Sequence, residues 1–227
     1  MFMIINAFVQ NVVMNLKNNI RYGWVDRKVC EYACKKWHYS KCCPSGKLYA
    51  LGFYEDNKFI GTIIFSAGSN YNMGARWNLK TGESGVLELT RVAFNDHTEQ
   101  VSRFLAIAIK ELKKRLPDLQ LLISYADITQ GHKGVIYRAT NWLLLEKING
   151  QDYYYVNGVK THKKSIYGKM LNWNKNNKKK YTNQLEFAKD NISADTYIAK
   201  DKGKYKYAYP LHKKMRKRLL KECIPYD

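Results

Sequence analysis

Side chains able to transfer protons are concentrated between Ser124 and Trp142. The nearly continuous apolar run from Leu119 to Tyr125 predicts a strand buried on both faces, and Asp127 follows this run closely. Ligands of open α/β sheets bind at the carboxyl ends of strands, so Asp127 is placed to accept a proton there. A carboxylate in this position is equally suited to cap the next helix.

Two hydroxyl groups accompany this carboxylate. Tyr137 lies ten residues after Asp127, in a short helix predicted around Val135 to Thr140. Ser124 precedes Asp127 by three residues, so the two-residue period of a strand puts their side chains on opposite faces. Asp127, Tyr137 and Ser124 are therefore our candidates for proton transfer.

His38 is a further candidate, in a four-residue repeat formed by Cys30, Cys34, His38 and Cys42. One metal ion cannot bind all four, because a helix rising about 1.5 Å per residue separates its ends by about 18 Å, while metal bonds measure about 2 Å. We expect a buried stripe and assign no metal site, although His38 as one ligand of a shared iron or zinc ion stays open. A role for His38 in an aromatic core is the alternative.

The elements that must position these residues follow from hydrophobic periodicity and turn signals. In order, they are a helix at 27–41, a hairpin of strands at 48–54 and 59–65, a loop at 68–85, a strand at 86–94, a helix at 98–116, a strand at 119–125 and a short helix near 135–140. A crossover helix separates the strands at 86–94 and 119–125, which predicts that they are parallel neighbours. Alternation along the first of these strands assigns one face to Val86, Glu88, Thr90 and Val92.

The last part of the chain is less patterned. Trp142 to Ile148 and Asp152 to Val156 predict a further hairpin that turns at Asn149-Gly150. After about residue 168 there is little core-forming material, although segment 211–221 has the spacing of a basic amphipathic helix. We therefore predict a catalytic domain at 1–167 and a basic, Lys- and Tyr-rich extension at 168–227 that binds nucleic acid.

The charge of the chain indicates a polyanionic partner. Its 227 residues carry a net charge of +20 with 45% hydrophobic residues, which excludes a disordered tail protein. Residues 1–158 hold 20 basic and 13 acidic groups, while residues 159–227 hold 19 and 6, so most of the excess lies late in the chain. Nucleic acid is the first candidate partner and an anionic membrane the second.

Membrane and secretory interpretations find little support in the sequence. No apolar run reaches the ~18 to 20 residues that span a bilayer, and the Met1 to Leu16 stretch lacks the basic region of a signal peptide. Five cysteines, two of them adjacent at Cys42 and Cys43, do not suggest a disulfide framework. We expect a protein of a reducing cytoplasm with no membrane partner.

The segment from Thr90 to Trp142 resembles the two most diagnostic motifs of the GCN5-related N-acetyltransferase (GNAT) family. A strand leads into a helix, a second strand follows, and the next helix carries Tyr137. After three further residues comes Asn141-Trp142, where the family has Gly-Phe. The resemblance implies an α/β (α+β) fold, with a GNAT-like mixed central sheet flanked by helices.

Three segments resemble the phage Mom DNA-modification family more closely. They are Trp37 to Lys41 with Pro44 and Gly46, then Leu87 to Arg91, and then Ser124 to Asp127 followed by Gly131 to Trp142. The resemblance implies a transferase that modifies the exocyclic N6 of adenine in double-stranded DNA to a carbamoylmethyl (acetamido, glycinamide-like) group. Such a group shields phage DNA from restriction enzymes in the host bacterial cytoplasm.

The resemblance also suggests roles for the candidate residues. Tyr137 matches the family position that protonates the leaving group. The adenine N6 amine is a poor nucleophile because its lone pair is delocalised into the ring, so it needs a proton acceptor. We assign that acceptor to Asp127 first and His38 second, and we expect Ser124 to hold either the donor or the base.

Two molecules are candidate donors. The family implies acetyl-CoA, and the residues assigned to donor binding are Val92, Phe94, Ser102, Arg103 and Asn141. Residues 94–103 contain no glycine that would let bare amides approach a pyrophosphate, so glycyl-tRNA is the alternative donor. A glycyl group placed on N6 would rearrange by attack of its free amine on C6, with the bond between C6 and the original N6 breaking, to give the carbamoylmethyl product.

Adenine N6 lies in the major groove of a duplex, so we expect base flipping or action on transiently open DNA. The residues predicted to contact DNA are Arg76, His132, Lys133, Lys178, Lys179, Lys180, Lys213, Lys214, Arg216 and Arg218. Two alternatives remain open. One is an acyl- or aminoacyltransferase acting on a protein or tRNA amine, and the other is a non-catalytic nucleic-acid-binding module.

Overall fold

The computed structural model describes residues 14–15 and 19–226. Its strands are β1 (Met14–Asn15), β2 (Ile20–Trp24), β3 (Leu48–Glu55), β4 (Lys58–Ser66), β5 (Val86–Phe94), β6 (Leu121–Asp127), β7 (Leu143–Ile148), β8 (Asp152–Val156), β9 (Val159–Thr161), β10 (Tyr197–Lys200) and β11 (Lys204–Pro210). Its α-helices are α1 (Arg27–Trp37), α2 (Val101–Arg115), α3 (Val135–Ala139), α4 (Lys163–Asn176), α5 (Gln184–Asn191) and α6 (Lys213–Leu219). Short 3-10 helices cover Ala75–Trp77 and Ile128–Gln130. The prediction for Met1 to Leu16 lies, apart from Met14 and Asn15, outside the described residues.

A mixed sheet joins eight of the described strands in the order β1-β2-β3-β4-β5-β6-β11-β7. β5 and β6 are parallel neighbours, as predicted, while the pairs from β1 to β5 are antiparallel. The predicted order of elements from the first helix to α3 is confirmed. The predicted fold class, a mixed central sheet flanked by helices, is confirmed as well.

The chain forms two compact units. The larger unit contains the chain up to Ala126, Lys133–Glu146 and the chain from Tyr205, and the smaller unit contains Asp127–His132 and Lys147–Lys204. The predicted boundary between residues 167 and 168 lies inside helix α4. In place of a separate extension, most of β11 and all of α6 belong to the larger unit.

The hairpin of β3 and β4 forms where the sequence predicts it. Asp56 and Asn57 have φ angles of 47° and 65°, the left-handed conformation that both central residues of a tight two-residue hairpin turn require. Aspartate and asparagine adopt this conformation more readily than most residues. The turn therefore fixes the pairing of Glu55 with Lys58, and a register shift between Phe53 and Tyr54 then sets the pairing of Leu48 with Ser66.

The alternation predicted for β5 is wrong beyond its middle. Two consecutive residues of β4 pair with Arg91 and Leu89, which leaves Thr90 as an extra, bulged residue of β5. The bulge reverses the two faces of the strand, so Leu89 and Val92 pack in the same apolar cluster. Glu88 and Val92, which the two-residue period assigns to one face, consequently lie on opposite faces.

Helices of the larger unit cover both faces of the sheet. On one face, which we call the α2 face, Phe104 and Leu105 of α2 and Tyr137 of α3 pack with Leu87 and Leu89 of β5. The spacing of the apolar residues of α2 explains this, because residues three and four apart form one stripe on a helix.

The opposite face, the α1 face, is covered by two other helices. Cys30 and Cys34 of α1 pack against Ile64 of β4, which confirms the predicted buried stripe for these two cysteines. Met215 and Leu219 of α6 pack in a separate cluster with β5 and β6. The predicted basic amphipathic helix is thus confirmed, with its apolar side buried in the larger unit.

The hairpin predicted from β7 and β8 is wrong, although both strands exist. β7 lies beside β11 in the large sheet, whereas β8 is the central strand of a three-stranded sheet in the order β10-β8-β9. Gly150, which the sequence predicts in a turn, packs against the backbone of Asp201. A Cβ at position 150 would overlap the Asp201 carbonyl. Pairing with segments that come about fifty residues later overrides the local turn signal.

The smaller unit has a core of its own. Tyr154 of β8, Ile166 and Met170 of α4, and Tyr181 and Phe187 further on form one buried cluster. The interpretation of the region after residue 168 as poor in core-forming material is therefore wrong. Tyrosine supplies apolar area together with a hydroxyl that finds a partner, here Asp190 for Tyr181 (2.9 Å), so it can build a core in a lysine-rich segment.

In the part of the chain that the structure describes, no helix combines the length and the apolar composition needed to cross a membrane.

Candidate functional site

The candidate site of the larger unit lies where strands β5 and β6 part. Although the strands are parallel neighbours, they pair only from Val86 to Glu88 on β5 with Leu121 to Ile123 on β6. Beyond this point the Ser124 hydroxyl donates to the Leu89 carbonyl (2.9 Å). The sheet is therefore open between the carboxyl ends of two parallel strands, the place where α/β sheets bind ligands.

Tyr137 reaches this opening from α3. Its hydroxyl oxygen lies 2.8 Å from the Ser124 hydroxyl oxygen. The single hydroxyl hydrogen of Ser124 is used toward Leu89, so the bond between the two hydroxyls is made by the Tyr137 proton. The direction of donation is thus Tyr137 to Ser124 to Leu89, and Ser124 orients the phenol.

The surroundings of Tyr137 keep its hydroxyl protonated. The ring is stacked on Tyr207 (centroids 4.5 Å apart) and meets Trp142 edge-on (5.2 Å). Burial raises the pKa of Tyr137 far above its usual range, and the lowering by the Ser124 hydrogen bond does not offset it. A buried neutral phenol with a fixed direction is suited to donate a proton rather than to accept one.

The two ends of α3 explain why the sequence has Gly134 and Asn141 there. Gly134 has a φ of 72°, and a Cβ at this position would overlap the Tyr207 hydroxyl. Asn141 has a φ of 61°, a left-handed conformation that asparagine tolerates. Asparagine therefore fulfils the helix-ending role of the glycine that the GNAT motif carries.

Glu88 is a site residue that we did not identify from the sequence. It pairs with Ile123 on β6, one residue before Ser124, and its carboxylate lies against Gly68, where a Cβ would overlap it. Burial, followed by the charge of Glu88, raises the pKa of Tyr125 to about 12. The available signal was a carboxylate inside an apolar strand, Val86-Leu87-Glu88-Leu89.

Glu88 and Tyr137 belong to opposite faces of the sheet. Glu88 alternates with Leu87 and Leu89, whose side chains pack on the α2 face with Tyr137, so Glu88 lies on the α1 face. The charge of Glu88 is nevertheless among the causes that raise the pKa of Tyr137, after burial and two tyrosines. The opening between β5 and β6 is where a group on one face can meet a group on the other.

His38 lies at the end of α1, where it is buried. Its Nδ1 accepts a hydrogen bond from the Ser40 amide (3.1 Å) and lies 2.8 Å from the Ser40 hydroxyl. A ring nitrogen that accepts an amide proton carries none itself, so neutral His38 has its proton on Nε2. This state makes Nε2 a donor, which does not suit the predicted role of His38 as a proton acceptor.

Two arginines hold the loop that follows His38. Arg91 of β5 donates from Nε to the Cys42 carbonyl (3.0 Å), and Arg27 donates to the carbonyls of Pro44 (3.0 Å) and Gly46. Guanidinium groups that bond several carbonyls can fix an irregular loop without regular secondary structure. The loop that carries His38 and the exposed Tyr39 is therefore anchored to β5 and α1.

Asp127, predicted as the main proton acceptor, is the last residue of β6 and belongs to the smaller unit. Its carboxylate accepts from the Thr129 amide (2.8 Å) and so caps the 3-10 helix Ile128–Gln130, as the alternative interpretation expected. The other carboxylate oxygen lies 3.7 Å from Nζ of Lys160. Both oxygens therefore have partners within the smaller unit, which favours a structural role.

The start of α2, predicted to hold a donor phosphate, does not fit a diphosphate. The guanidinium of Arg103 pairs with the Glu99 carboxylate. Glu99 also accepts from the Gln100 amide (3.0 Å), and Glu55 accepts from the Thr98 amide (3.3 Å). Carboxylates thus already accept hydrogen bonds from the amides that a diphosphate would need, and their negative charge repels a diphosphate.

The other residues predicted to bind the donor lie in different surroundings. Val92 packs beside the main core of the larger unit. Phe94 is stacked on Phe104 (5.0 Å, 10°) and contacts Phe53, so its ring belongs to an aromatic cluster. Ser102 is half-buried in the first turn of α2. The structure does not bring these three residues together with Asn141 at one site.

The DNA-binding predictions in the larger unit divide into two groups. Arg76 pairs with Glu222 (2.9 Å), and Arg218 donates to the carbonyls of Trp77 (3.1 Å) and Arg76 (3.3 Å), so both guanidinium groups have internal partners. The second group is exposed and, among the described residues, has no ion pair. It consists of Lys133, Lys213, Lys214 and Arg216.

In the smaller unit the predictions also divide. Lys179 pairs with Asp190 (3.0 Å) and lies over the Tyr181 ring, and Lys180 donates to the Asn174 carbonyl. Lys178 and His132 are exposed. The ammonium groups of Lys179 and Lys180 therefore have partners within their own unit.

The described residues contain no group of three or more histidine, cysteine, aspartate or glutamate side chains arranged to hold a metal ion. Cys30 and Cys34 are buried, whereas Cys42 is exposed. Burial raises the pKa of the Cys34 thiol to about 12, so the thiol stays protonated at neutral pH.

The sequence is similar to that of a phage protein. Over 107 residues the chain is 29% identical to "Methylcarbamoylase mom" of Escherichia phage Mu, a stretch that covers 46% of this chain and 44% of the Mu protein. The chain thus aligns with less than half of that relative.

Solved structures with a related arrangement are acetyltransferases. Arabidopsis thaliana NAA60 in complex with a bisubstrate analogue has a TM-score of 0.49 at 8% identity, covering 85% of this chain and 99% of that one. The putative acetyltransferase yncA from Salmonella typhimurium with acetyl-CoA has a TM-score of 0.48 at 10% identity, covering 86% and 96%. Likenesses of this size carry nothing about activity.

The family match extends much further along the sequence than these alignments. The model of the Mom protein family matches residues 19–227, which include the opening between β5 and β6, Ser124, Tyr137 and Glu88. The chain belongs to the Mom protein family.

Proposed function

We propose that this chain is a transferase that places a carbamoylmethyl-type group on the exocyclic N6 of adenine in DNA. The observation that carries the proposal is the opening between β5 and β6, with a buried, protonated phenol on one face and a carboxylate on the other. The family match and the name of the phage Mu relative, a methylcarbamoylase, support the same assignment. In a phage such a modification would protect DNA from host restriction.

Group transfer to an aromatic amine needs two proton movements. In the proposed arrangement, Glu88 accepts the proton that adenine N6 loses when it attacks the donor. Tyr137 turns its hydroxyl proton from Ser124 to the group that leaves and donates it there, and the Ser124 hydroxyl then donates to the Tyr137 oxygen and holds it in position. Acid and base on opposite faces keep the donor and the DNA on separate sides of the sheet until they meet at the opening.

The adenine must leave the duplex to reach such an opening. N6 is exposed only in the major groove, and a pocket cannot close around a stacked base, so the base is flipped or taken from open DNA. Exposed cations of α6 provide phosphate contacts within the larger unit. These are Lys213, Lys214, Arg216 and Lys217.

The start of α2 limits which molecule can serve as the donor. Glu55 and Glu99 occupy the amides where the diphosphate of acetyl-CoA would bind in the predicted arrangement, so we assign no step to that molecule. Glycyl-tRNA is the second candidate donor. Purified protein and DNA incubated with labelled acetyl-CoA in one reaction and labelled glycyl-tRNA in another would show which label enters adenine.

Nucleoside mass spectrometry tests the proposed function directly. Plasmid DNA from cells that express the protein should contain a deoxyadenosine with an added carbamoylmethyl mass, absent from cells with the empty vector. Unmodified DNA together with a modified tRNA or protein amine would replace the proposal by an acyl- or aminoacyltransferase of another substrate. The absence of a modified product from DNA, tRNA and protein would indicate a non-catalytic nucleic-acid-binding module.

A further inference from the structure

The three-stranded sheet of the smaller unit has one face that its own helices do not use. Tyr154 of β8 points into the core with α4 and α5, so its neighbours Tyr153 and Tyr155 lie on the other face. The register adds Tyr197 of β10 and Lys160 of β9, each directly opposite Tyr155. We call these residues, Tyr153, Tyr155, Lys160 and Tyr197, the tyrosine face.

Two rings of the tyrosine face already form a stack. Tyr155 and Tyr197 have centroids 5.2 Å apart and planes inclined by only 8°. Tyr197 is half exposed, at 50% of its full area, although its unit has a buried core elsewhere. Tyr155 is half-buried, so the exposed ring of Tyr197 gives this stack a flat outer surface on which a further planar group can stack.

The third ring is held in place. Nζ of Lys160 lies 4.1 Å from the centroid of Tyr153. The same Nζ pairs with Asp201 (2.7 Å) and lies 3.7 Å from Asp127. Lys160 therefore covers Tyr153 and fixes it, which leaves Tyr155 and Tyr197 as the rings available to a ligand.

The charge of the smaller unit selects the kind of planar ligand. The unit contains thirteen lysines against six acidic residues. Seven of its lysines are exposed and, in the described part of the chain, make neither an ion pair nor a hydrogen bond from the side chain. They are Lys164, Lys169, Lys175, Lys178, Lys189, Lys200 and Lys202. A planar group carried on a polyanion, an unpaired nucleobase, matches both the rings and the charge.

We propose that the tyrosine face binds unpaired bases of single-stranded DNA by stacking on Tyr155 and Tyr197. The inference rests on the proposed function, because it supplies a place for DNA that has opened around the target adenine. A sheet face with exposed aromatic rings is a common way to hold single strands without reading their sequence. It also gives the smaller unit a role that is separate from the proton transfer in the larger unit.

Fluorescence anisotropy of the full chain with a labelled 12-residue oligodeoxynucleotide tests this proposal. Tyr155→Ala and Tyr197→Ala should each weaken binding by about 5-fold to 140-fold, which corresponds to about 1–3 kcal/mol per stacked base. Tyr155→Phe and Tyr197→Phe should bind like the original chain, since they keep the ring. Tyr167→Ala is the matched control, because Tyr167 is similarly exposed, at 46%, on helix α4.

An abasic oligomer of the same length separates stacking from phosphate attraction. It should bind more weakly than the normal oligomer, and the alanine variants should not weaken it further. Equal affinity of the alanine variants and the original chain for the normal oligomer would overturn the proposal. Tighter binding of an RNA strand of the same sequence would overturn the choice of DNA as the ligand. Modification of deoxyadenosine is measured separately on the same proteins, so a chain that modifies DNA without using the tyrosine face refutes only this inference.

Discussion

Polar residues behave differently in the two units of the molecule. In the larger unit, Ser124 and Tyr137 are almost fully buried and each hydroxyl has one defined direction of donation. In the smaller unit, the side chains of Asp127 and Lys160 stay partly accessible to solvent and pair with each other. The sequence motif that runs from Ser124 to Trp142 contributes to both.

The difference shows which half of the motif is organised for chemistry. A buried hydroxyl costs free energy unless its hydrogen bond is made, and the bonds from Tyr137 to Ser124 and from Ser124 to Leu89 remove that cost while they fix the direction of the phenol at the opening. The Asp127 carboxylate, which caps a turn and faces Lys160, is explained by these structural contacts alone. Five experiments test this difference between the two units.

The largest effect is expected for Tyr137→Phe. Removing the proton donor should lower the rate of DNA modification by about 10³-fold, within the usual range for general acid catalysis. Tyr207→Phe is the control, because Tyr207 belongs to the same stack and its substitution also removes a hydroxyl while keeping the ring. Rates are measured by nucleoside mass spectrometry, and a Tyr137→Phe variant as active as the control would contradict the assignment.

The next effect separates the two carboxylates. Glu88→Gln should lower the rate by about 10²-fold, because the amide cannot accept a proton. Asp127→Asn should leave the rate within a few-fold, since asparagine can still cap the turn through its side-chain oxygen. The opposite ranking of the two variants would return the role of base to Asp127.

A smaller effect is expected on stability at two glycines with nearly the same φ, 72° at Gly134 and 73° at Gly131. Gly134→Ala should lower the free energy of unfolding by about 2 kcal/mol, because it adds a clash with Tyr207 to the backbone strain. Gly131→Ala meets open space and should cost only the strain, about 1 kcal/mol. Urea unfolding measures both, and equal losses would show that the packing around α3 tolerates the extra carbon.

The smallest effect is a difference in pH sensitivity. Burial raises the pKa of Tyr54, Tyr125 and Tyr207 in the larger unit to about 12, so the folded state resists ionisation that the unfolded chain undergoes near its ordinary value of 10.0. Stability from these groups is present below pH 10 and is lost as the pH rises toward 12. Thermal unfolding between pH 9 and pH 12 should show this loss.

The smaller unit should respond at acid pH instead. Burial acts to raise the pKa of Asp201, but hydrogen bonds from Lys160 and from the Gln151 amide outweigh it and lower the pKa below 3.8. Stability from Asp201 is present above that value and is lost as the pH falls through the lowered pKa. In Asp201→Asn this acid-dependent part should disappear, whereas an unchanged acid transition would show that the Lys160 pair contributes little.

Much of the larger unit was predictable because its signals are local. Asp56-Asn57 defines a hairpin, and the apolar stripe of α2 followed by Pro117 defines a helix. The bulge at Thr90 was not predictable, since it depends on how β4 and β5 pair. That one residue reverses the face of every later residue in β5.

The site was predictable only in part, for the same reason. Ser124 and Tyr137 stand out in the sequence, and the structure brings their hydroxyls together. Glu88 is one carboxylate among nineteen acidic residues, and its place beside the opening follows from pairing with Ile123. Arg218 stands in a basic run, yet its carbonyl partners lie more than 140 positions away. Partners at such distances leave no trace in a local pattern.

The position of β11 between β6 and β7 has a consequence for synthesis on the ribosome. β6 and β7 are made more than fifty residues before β11, so a nascent chain that has reached the smaller unit still lacks the strand that lies between them. Until then both strands present unpaired edges, which attract other chains. The sheet that carries Ser124 can therefore be completed only after the entire smaller unit has been translated.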